Sequence, residues 1–243
     1  MNIPKVLVSA PTANAKNYCF YAWIENVMNF TYPNFEVRLF DNSSDSGKNA
    51  QYLNSEYKKL FNDNKFIAIH SKTDSLSSVI ERMCVSHNLC RENTLNGGFE
   101  YLLHLETDVF PESDIIESLI YHNKEMVGAV YDRENGKYRT SMLQKQIWSS
   151  PLNVTAFNFE AGEELFAIDG TVKPYASIGL GCALIHKSVL QKISFRFIKN
   201  QNGHPDKYFS EDCFRNNIKI YADTSKYCRH DNQAWGIYGL DFK

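Results

Sequence analysis

The feature that most constrains this chain is a rhythm. From the N-terminus to residue 131, short apolar runs alternate with longer segments of helical period. Lys5-Val6-Leu7-Val8-Ser9 reads as a buried strand, and Ala10-Pro11-Thr12 ends it. Residues 18–30 place Phe20, Trp23, Ile24 and Val27 on one helical face. Strand-like runs recur at 35–40, 66–69, 101–105 and 126–131, with helical segments at 49–61, 75–90 and 114–122 between them. Ser75 or Ser77 is the expected N-cap of the third helix, and Ser113 of the fourth. Strands that alternate with helices need crossover connections, so the expected class is α/β with a mostly parallel central sheet flanked by helices.

Open sheets of this kind collect ligands beyond the carboxyl ends of their strands. Three polar clusters fall at that edge: Pro11-Thr12, Asp41-Asn42-Ser43-Ser44-Asp45 and Glu106-Thr107-Asp108. After residue 131 the rhythm breaks. Residues 132–173 mix glycine, aromatics and charges without a period and read as loop-rich and partly antiparallel. A glycine-bearing strand at 178–185, helices at 187–193 and 208–217, and a strand at 219–222 follow. No linker or repeat interrupts the 243 residues, so a single domain is expected over 1–243.

Composition removes several function classes. Lys and Arg number 26 against 28 Asp and Glu, for a net charge of -2, so no bulk basic charge grips nucleic acid, although a local basic groove stays open. No apolar run approaches the roughly 20 residues of a membrane span. The N-terminus lacks the charged-then-apolar layout of a secretory signal, and the six cysteines contain no Cys-x-x-Cys pair. A cytoplasmic protein with reduced thiols is expected.

The acid-x-acid pair Glu106 and Asp108 ends a strand, where a turning chain can aim both carboxylates into one pocket. Paired hard oxygens suit Mg²⁺ or Mn²⁺, the usual carriers of a diphosphate. Acids also suit the helix N-terminus that follows. Asp41 can accept from a base imide or a ribose hydroxyl, and the same residue types also build ordinary turns. Glu211-Asp212 reads either as helix capping or as a general base facing an acceptor hydroxyl. His230 beside Asp108 would favour Mn²⁺ over Mg²⁺. Gly179-Leu180-Gly181 is not a dinucleotide fingerprint and more plausibly admits a sugar or acceptor closely.

Taken in order, these motifs resemble the GT-A fold glycosyltransferases, in particular the family 2 nucleotide-sugar enzymes. The matching residues are Asp41-Asn42-Ser43-Ser44-Asp45, Glu106-Thr107-Asp108, Gly179-Leu180-Gly181-Cys182, Glu211-Asp212 and Cys228-Arg229-His230, spread over residues 5–232. The resemblance implies a Rossmann-like GT-A domain with a smaller antiparallel acceptor-side element. Its nucleotide-sugar-binding half would be 1–131 and its acceptor-binding, catalytic half 132–243. It implies a metal-dependent enzyme moving a sugar from a UDP- or GDP-sugar to a hydroxyl acceptor, whether glycan, lipid-linked or small molecule.

By the same resemblance Pro11, Thr12, Asp41, Asn42, Arg82, Glu106, Thr107 and Asp108 bind the nucleotide sugar. Asp108, His230 and Glu106 hold Mn²⁺ (or Mg²⁺). Asp212, with Glu211 beside it, supplies the base of an inverting displacement. On their own chemistry, Tyr131 and Trp235 could stack on sugar or acceptor rings, with core packing the other reading, and Gly179 and Gly181 would let the sugar or acceptor approach closely. Glu stands at 106 where the family carries Asp. Processive-synthase motifs and membrane helices are absent. Three alternatives stay open: transfer to a modified nucleic-acid base, a sugar-nucleotide nucleotidyltransferase, and a non-catalytic sugar-nucleotide-binding module. The second expects a glycine- and Arg/Lys-bearing loop after the first strand, which Ala10-Pro11-Thr12-Ala13-Asn14 does not supply. The third has no need of a base.

Overall fold

The computed structural model describes residues 3–61, 65–131, 170–175, 177–199 and 204–231. The strands are β1 (Val6–Ser9), β2 (Pro11–Thr12), β3 (Phe35–Asp41), β4 (Phe66–His70), β5 (Tyr101–Leu105), β6 (Val109–Phe110), β7 (Met126–Tyr131), β8 (Val172–Tyr175), β9 (Cys182–His186) and β10 (Ile220–His230). The helices are α1 (Asn17–Met28), α2 (Lys48–Tyr57), α3 (Val79–Asn96), α4 (Ile115–Tyr121), α5 (Lys187–Lys192) and α6 (Pro205–Arg215). The main sheet runs β4-β3-β1-β5-β9-β7-β10-β8. β1, β3, β4, β5, β7 and β10 point one way, while β9 and β8 run against them. β2 prolongs the line of β1 along the end of β3, pairing Thr12 with Asp41.

The central strands are buried along almost their whole length because both sheet faces are covered, and all but Ser9 and His104 of β1 and β5 are apolar or aromatic. Val6, Val8, Leu103 and Leu105 enter one core, with Phe20, Trp23, Ile24 and Val27 of α1, Leu53 of α2 and Ile116 of α4. Leu7 and Leu102 point the other way, into a second core with Cys84 and Cys90 of α3, Leu190 of α5, and Phe209 and Cys213 of α6. The two-residue period of the strand thus sorts neighbouring side chains to opposite cores.

Several boundaries differ from the sequence reading. α3 begins after Ser78, whose side chain accepts from the Glu81 N–H at 3.3 Å, so neither Ser75 nor Ser77 is the cap. α4 is preceded by Asp114, not Ser113, and makes no side-chain cap bond. α6 starts at Pro205, so Glu211 and Asp212 sit inside the helix, not at its start. This removes the capping explanation for that pair. The last strand does not end at Ala222. It runs on to His230 through a register break between Asp223 and Tyr227. There Asp223 folds back on the Ser225 N–H (2.9 Å) and hydroxyl (2.6 Å) and on His122 Nε2 (2.7 Å). Such a bulge bends a strand. Beyond it, the end of β10 pairs antiparallel with β6, setting His230 opposite Val109.

Candidate active site

The parallel strands bring the polar clusters to one edge of the sheet. Thr12 Oγ1 lies 3.1 Å from Thr107 Oγ1, tying the end of β2 to the turn after β5. The Asn42 N–H donates to Thr12 O at 2.9 Å, tying in the end of β3. Pro11, Thr12, Asp41, Asn42, Thr107 and Asp108 are all buried here. Arg82 lies on α3, where its guanidinium donates to Leu76 O at 3.0 Å and holds the turn ahead of that helix.

One ligand atom each from Glu106, Asp108 and His230 falls within 4.8 Å of the others. Asp108 is fully buried. Its Oδ1 takes a bond from Lys16 Nζ at 2.9 Å, and the same ammonium is 3.2 Å from Glu106 Oε2. Asp108 Oδ2 receives no hydrogen bond, with His230 Nε2 3.7 Å away. Burial alone would raise the Asp108 pKa, but the Lys16 ammonium and the His230 ring outweigh it and hold it at about 2. Burial alone would lower the Lys16 pKa, but Asp108 and Glu106 hold it well above the usual lysine value. Both groups are therefore charged at neutral pH. The donor set fits a divalent ion. It offers two hard oxygens and an imidazole, including a buried carboxylate oxygen that no protein donor satisfies.

The glycine element braces this pocket. Glu106 N–H donates to Gly181 O at 2.9 Å, and Gly181 N–H donates to Tyr131 Oη at 3.0 Å. The Tyr131 ring meets the His230 ring edge-on, with centroids 5.4 Å apart. Only glycine fits at 181, because a Cβ would stand 2.4 Å from Tyr131 Cζ. Gly179 is buried in the same loop. Trp235 lies outside the described residues, as does most of the 132–173 stretch.

Asp41 Oδ1 takes bonds from Ser43 Oγ (2.6 Å) and Asn49 Nδ2 (3.0 Å), while its buried Oδ2 has no hydrogen-bond partner. Asp41, Asp45 and His70 form a second trio whose ligand atoms fall within 4.8 Å. On α6 the Arg196 fork grips Asp212 at 2.7 and 3.0 Å. Glu211 is buried against Arg215 (2.7 Å) and Arg196 (3.2 Å).

Two residues were missed from the sequence. Lys16 closes the single turn Asn14–Lys16 after β2, and a lone lysine in a polar turn carries no sequence signal. Asp206 sits in the first turn of α6, where burial raises its pKa, the His204 charge works against that, and Glu106 adds to it. The signal for Asp206 was legible: Pro205 is a first-position helix residue, which starts α6 earlier and puts an acid in its first turn.

Strand order, the crossed-over β9 and the acidic turn after β5 define the GT-A fold. Solved structures with this fold include mannosyltransferase PcManGT from Pyrobaculum calidifontis in complex with GDP-Man and Mn²⁺. It has a TM-score of 0.62 and 12% identity over 98% of this chain and 60% of that one. GalNAc-T7 with UDP, GalNAc and Mn²⁺ gives 0.60 and 11% over 94% and 44%. Residues 1–349 of S. aureus TarS in complex with UDP-GlcNAc give 0.58 and 15% over 94% and 59%. The chain thus spans less than two thirds of each of these proteins. No protein-family profile and no curated protein matches it in sequence. Among the described residues no helix is long and apolar enough to cross a membrane.

Proposed function

We propose that this chain is a metal-dependent glycosyltransferase that moves a sugar from a nucleoside-diphosphate sugar to a hydroxyl acceptor. The observation that carries the reading is the Glu106–Asp108–His230 trio at the carboxyl edge of a GT-A sheet, with one buried Asp108 oxygen free of any protein donor. The similarity to solved proteins that hold UDP, UDP-GlcNAc or GDP-Man supports a UDP- or GDP-sugar as donor. Mn²⁺ bound by the trio would neutralise the charge that grows on the departing nucleoside diphosphate. Thr12, Asn42 and the open oxygen of Asp41 would orient the nucleoside, with Pro11, Thr107 and Arg82 around it. Tyr131, Gly179, Gly181 and Trp235 would line the sugar and acceptor side. A glycan, lipid-linked or small-molecule hydroxyl would be the acceptor, and a modified nucleic-acid base is a variant of the same chemistry.

In an inverting displacement, a carboxylate opposite the leaving group takes the acceptor proton, commonly worth ~10²–10⁴ in rate. The motif order assigns this proton to Asp212, with Glu211 beside it. One observation favours a second carboxylate of α6. Asp206 stands in the first turn of α6, where burial, with the Glu106 charge adding to it, raises its pKa, whereas both Asp212 oxygens are already held by the Arg196 fork.

The test is a thermal-shift panel of nucleoside diphosphates and their sugars, with and without Mn²⁺. A ligand at ~100 times its Kd adds about 2.7 kcal/mol of stability. One nucleotide class is expected to raise Tm only when Mn²⁺ is present, and Asp108→Ala is expected to remove that shift. A panel without any Mn²⁺-dependent shift would refute the reading.

A further inference from the structure

Lys16 occupies a telling position. Its ammonium bridges the same two carboxylates that the proposed function assigns to a divalent ion, at 2.9 Å from Asp108 Oδ1 and 3.2 Å from Glu106 Oε2. The side chain is only 21% exposed. The backbone beneath it is pinned: Lys16 N–H donates to Ala13 O at 2.9 Å, and Lys16 O accepts from the Cys19 thiol at 3.4 Å. The flexible four-carbon stem is therefore the part that can move.

A divalent ion needs oxygen ligands at about 2.0–2.6 Å. Held by Glu106 and Asp108 at that range, it would stand close to an ammonium bridging the same oxygens. Two cations in a half-buried pocket repel strongly, because the local dielectric is low. The ion and the ammonium therefore compete for one carboxylate pair. An ion arriving alone evicts Lys16 and leaves the ammonium without a partner, which costs free energy. An ion arriving with a diphosphate brings anionic oxygens to which the evicted ammonium can turn.

We propose that Lys16 is the resident counter-ion of the Glu106–Asp108 pair and gates the metal site, so that a divalent ion enters weakly alone and tightly together with the nucleoside diphosphate. The inference rests on the reading of Glu106, Asp108 and His230 as the metal ligands. Its consequence is linkage: the factor by which the diphosphate tightens the ion is the factor by which the ion tightens the diphosphate. Lys16 sets part of that factor.

The test is Mn²⁺ titration of the intact chain without nucleotide, with free Mn²⁺ read by electron paramagnetic resonance. Lys16→Met is expected to bind Mn²⁺ at least tenfold more tightly than the wild-type chain, and Lys16→Gln to follow it. Lys16→Arg, which keeps a cation with a firmer grip, is expected to bind Mn²⁺ no more tightly than the wild-type chain. Adding UDP or GDP is expected to tighten Mn²⁺ by a smaller factor in Lys16→Met than in wild type. A thermal scan supplies an independent readout, in which Mn²⁺ raises Tm more for Lys16→Met than for wild type. Equal or weaker Mn²⁺ binding by Lys16→Met overturns the gating role. If Asp108→Asn still abolishes binding in that background, the metal reading survives that failure. Mn²⁺ binding that persists after Asp108→Asn in both backgrounds sinks the metal reading and the gate with it. Binding by Lys16→Met where wild type shows none supports the gate in its strongest form.

Discussion

Gly181→Ala tests the brace between the glycine element and the proposed metal pocket. A methyl group at 181 would stand 2.4 Å from Tyr131 Cζ, 2.6 Å from Cε1 and 2.8 Å from Oη. Carbon atoms in contact prefer roughly 3.5–4.0 Å, so the ring or the strand end must shift by about 1 Å. Tyr131 is only 6% exposed. Overpacking of this kind costs ~1–3 kcal/mol. The Gly181 N–H to Tyr131 Oη bond is lost in the shift, for about 1 kcal/mol more. The expected destabilisation is therefore ~2–4 kcal/mol, read as a lower urea midpoint at unchanged slope. In a Tyr131→Ala background the clash has no partner, and Gly181→Ala is expected to cost less than about 0.5 kcal/mol. The cycle should thus show a coupling of at least ~1.5 kcal/mol, within the range for residues in contact. Because Tyr131 also meets the His230 ring, Gly181→Ala is expected to weaken Mn²⁺ binding as well. A single-mutant cost under ~0.5 kcal/mol, or additive costs, would refute the close packing from which the magnitudes come.

Three further outcomes are expected. Asp206→Asn should lower turnover by ~10²–10⁴ while nucleotide affinity holds, and Asp212→Asn should cost less; the reverse order in donor-sugar assays would return the proton to Asp212. Stability should fall in two acid windows. The buried His87–His104 pair (Nδ1 to Nε2 2.9 Å) is held below the ordinary imidazole pKa by burial. The unfolded chain then takes up protons first as pH drops through ~6.5, and stability declines below that point. Asp108, held at about 2 in the folded chain, adds stability above pH ~4 that is lost as pH falls from there toward its folded value. Tm measured from pH 7 to 3 checks both windows, and a His87→Phe variant whose slope near pH 6 is unchanged would remove the first. Ser78→Ala should cost ~1 kcal/mol of stability and Ser75→Ala or Ser77→Ala close to nothing, since only Ser78 caps α3.

The sheet was legible because its central strands are buried on both faces and therefore mostly apolar, and short apolar runs flanked by turn residues alternate there with helical segments. The edge that gathers Thr12, Asp41 and Glu106-Thr107-Asp108 followed from the parallel sense of those strands. What escaped the sequence depended on polar residues with two local uses. Asp223-Thr224-Ser225 looks like a turn that ends a strand, yet it is the bulge that bends β10 and carries His230 beside Asp108. Ser210-Glu211-Asp212 looks like a helix start, yet Pro205 had already opened the helix. Lys16 has no local signature at all, because its partners are 90 and 92 residues away.

The acids at 41, 106, 108 and 212 have different partners. Asp41 has its own donors in Ser43 and Asn49, and Asp212 is held by Arg196. Glu106 and Asp108 already share an internal cation. The two cations differ in kind. The Arg196 guanidinium makes a planar, two-point grip that fixes Asp212 and favours rigidity. The Lys16 ammonium is a point charge on a flexible stem and can change partners without changing the fold. Such a charge is suited to a carboxylate pair that accepts an incoming ion, because it keeps the buried Asp108 and the partly exposed Glu106 from repelling one another until the ion arrives. A fixed arginine at 16 would stabilise the empty pocket at least as well but would yield it less readily. The choice of lysine there is thus the part of the site that speaks most directly for exchange of partners over static pairing.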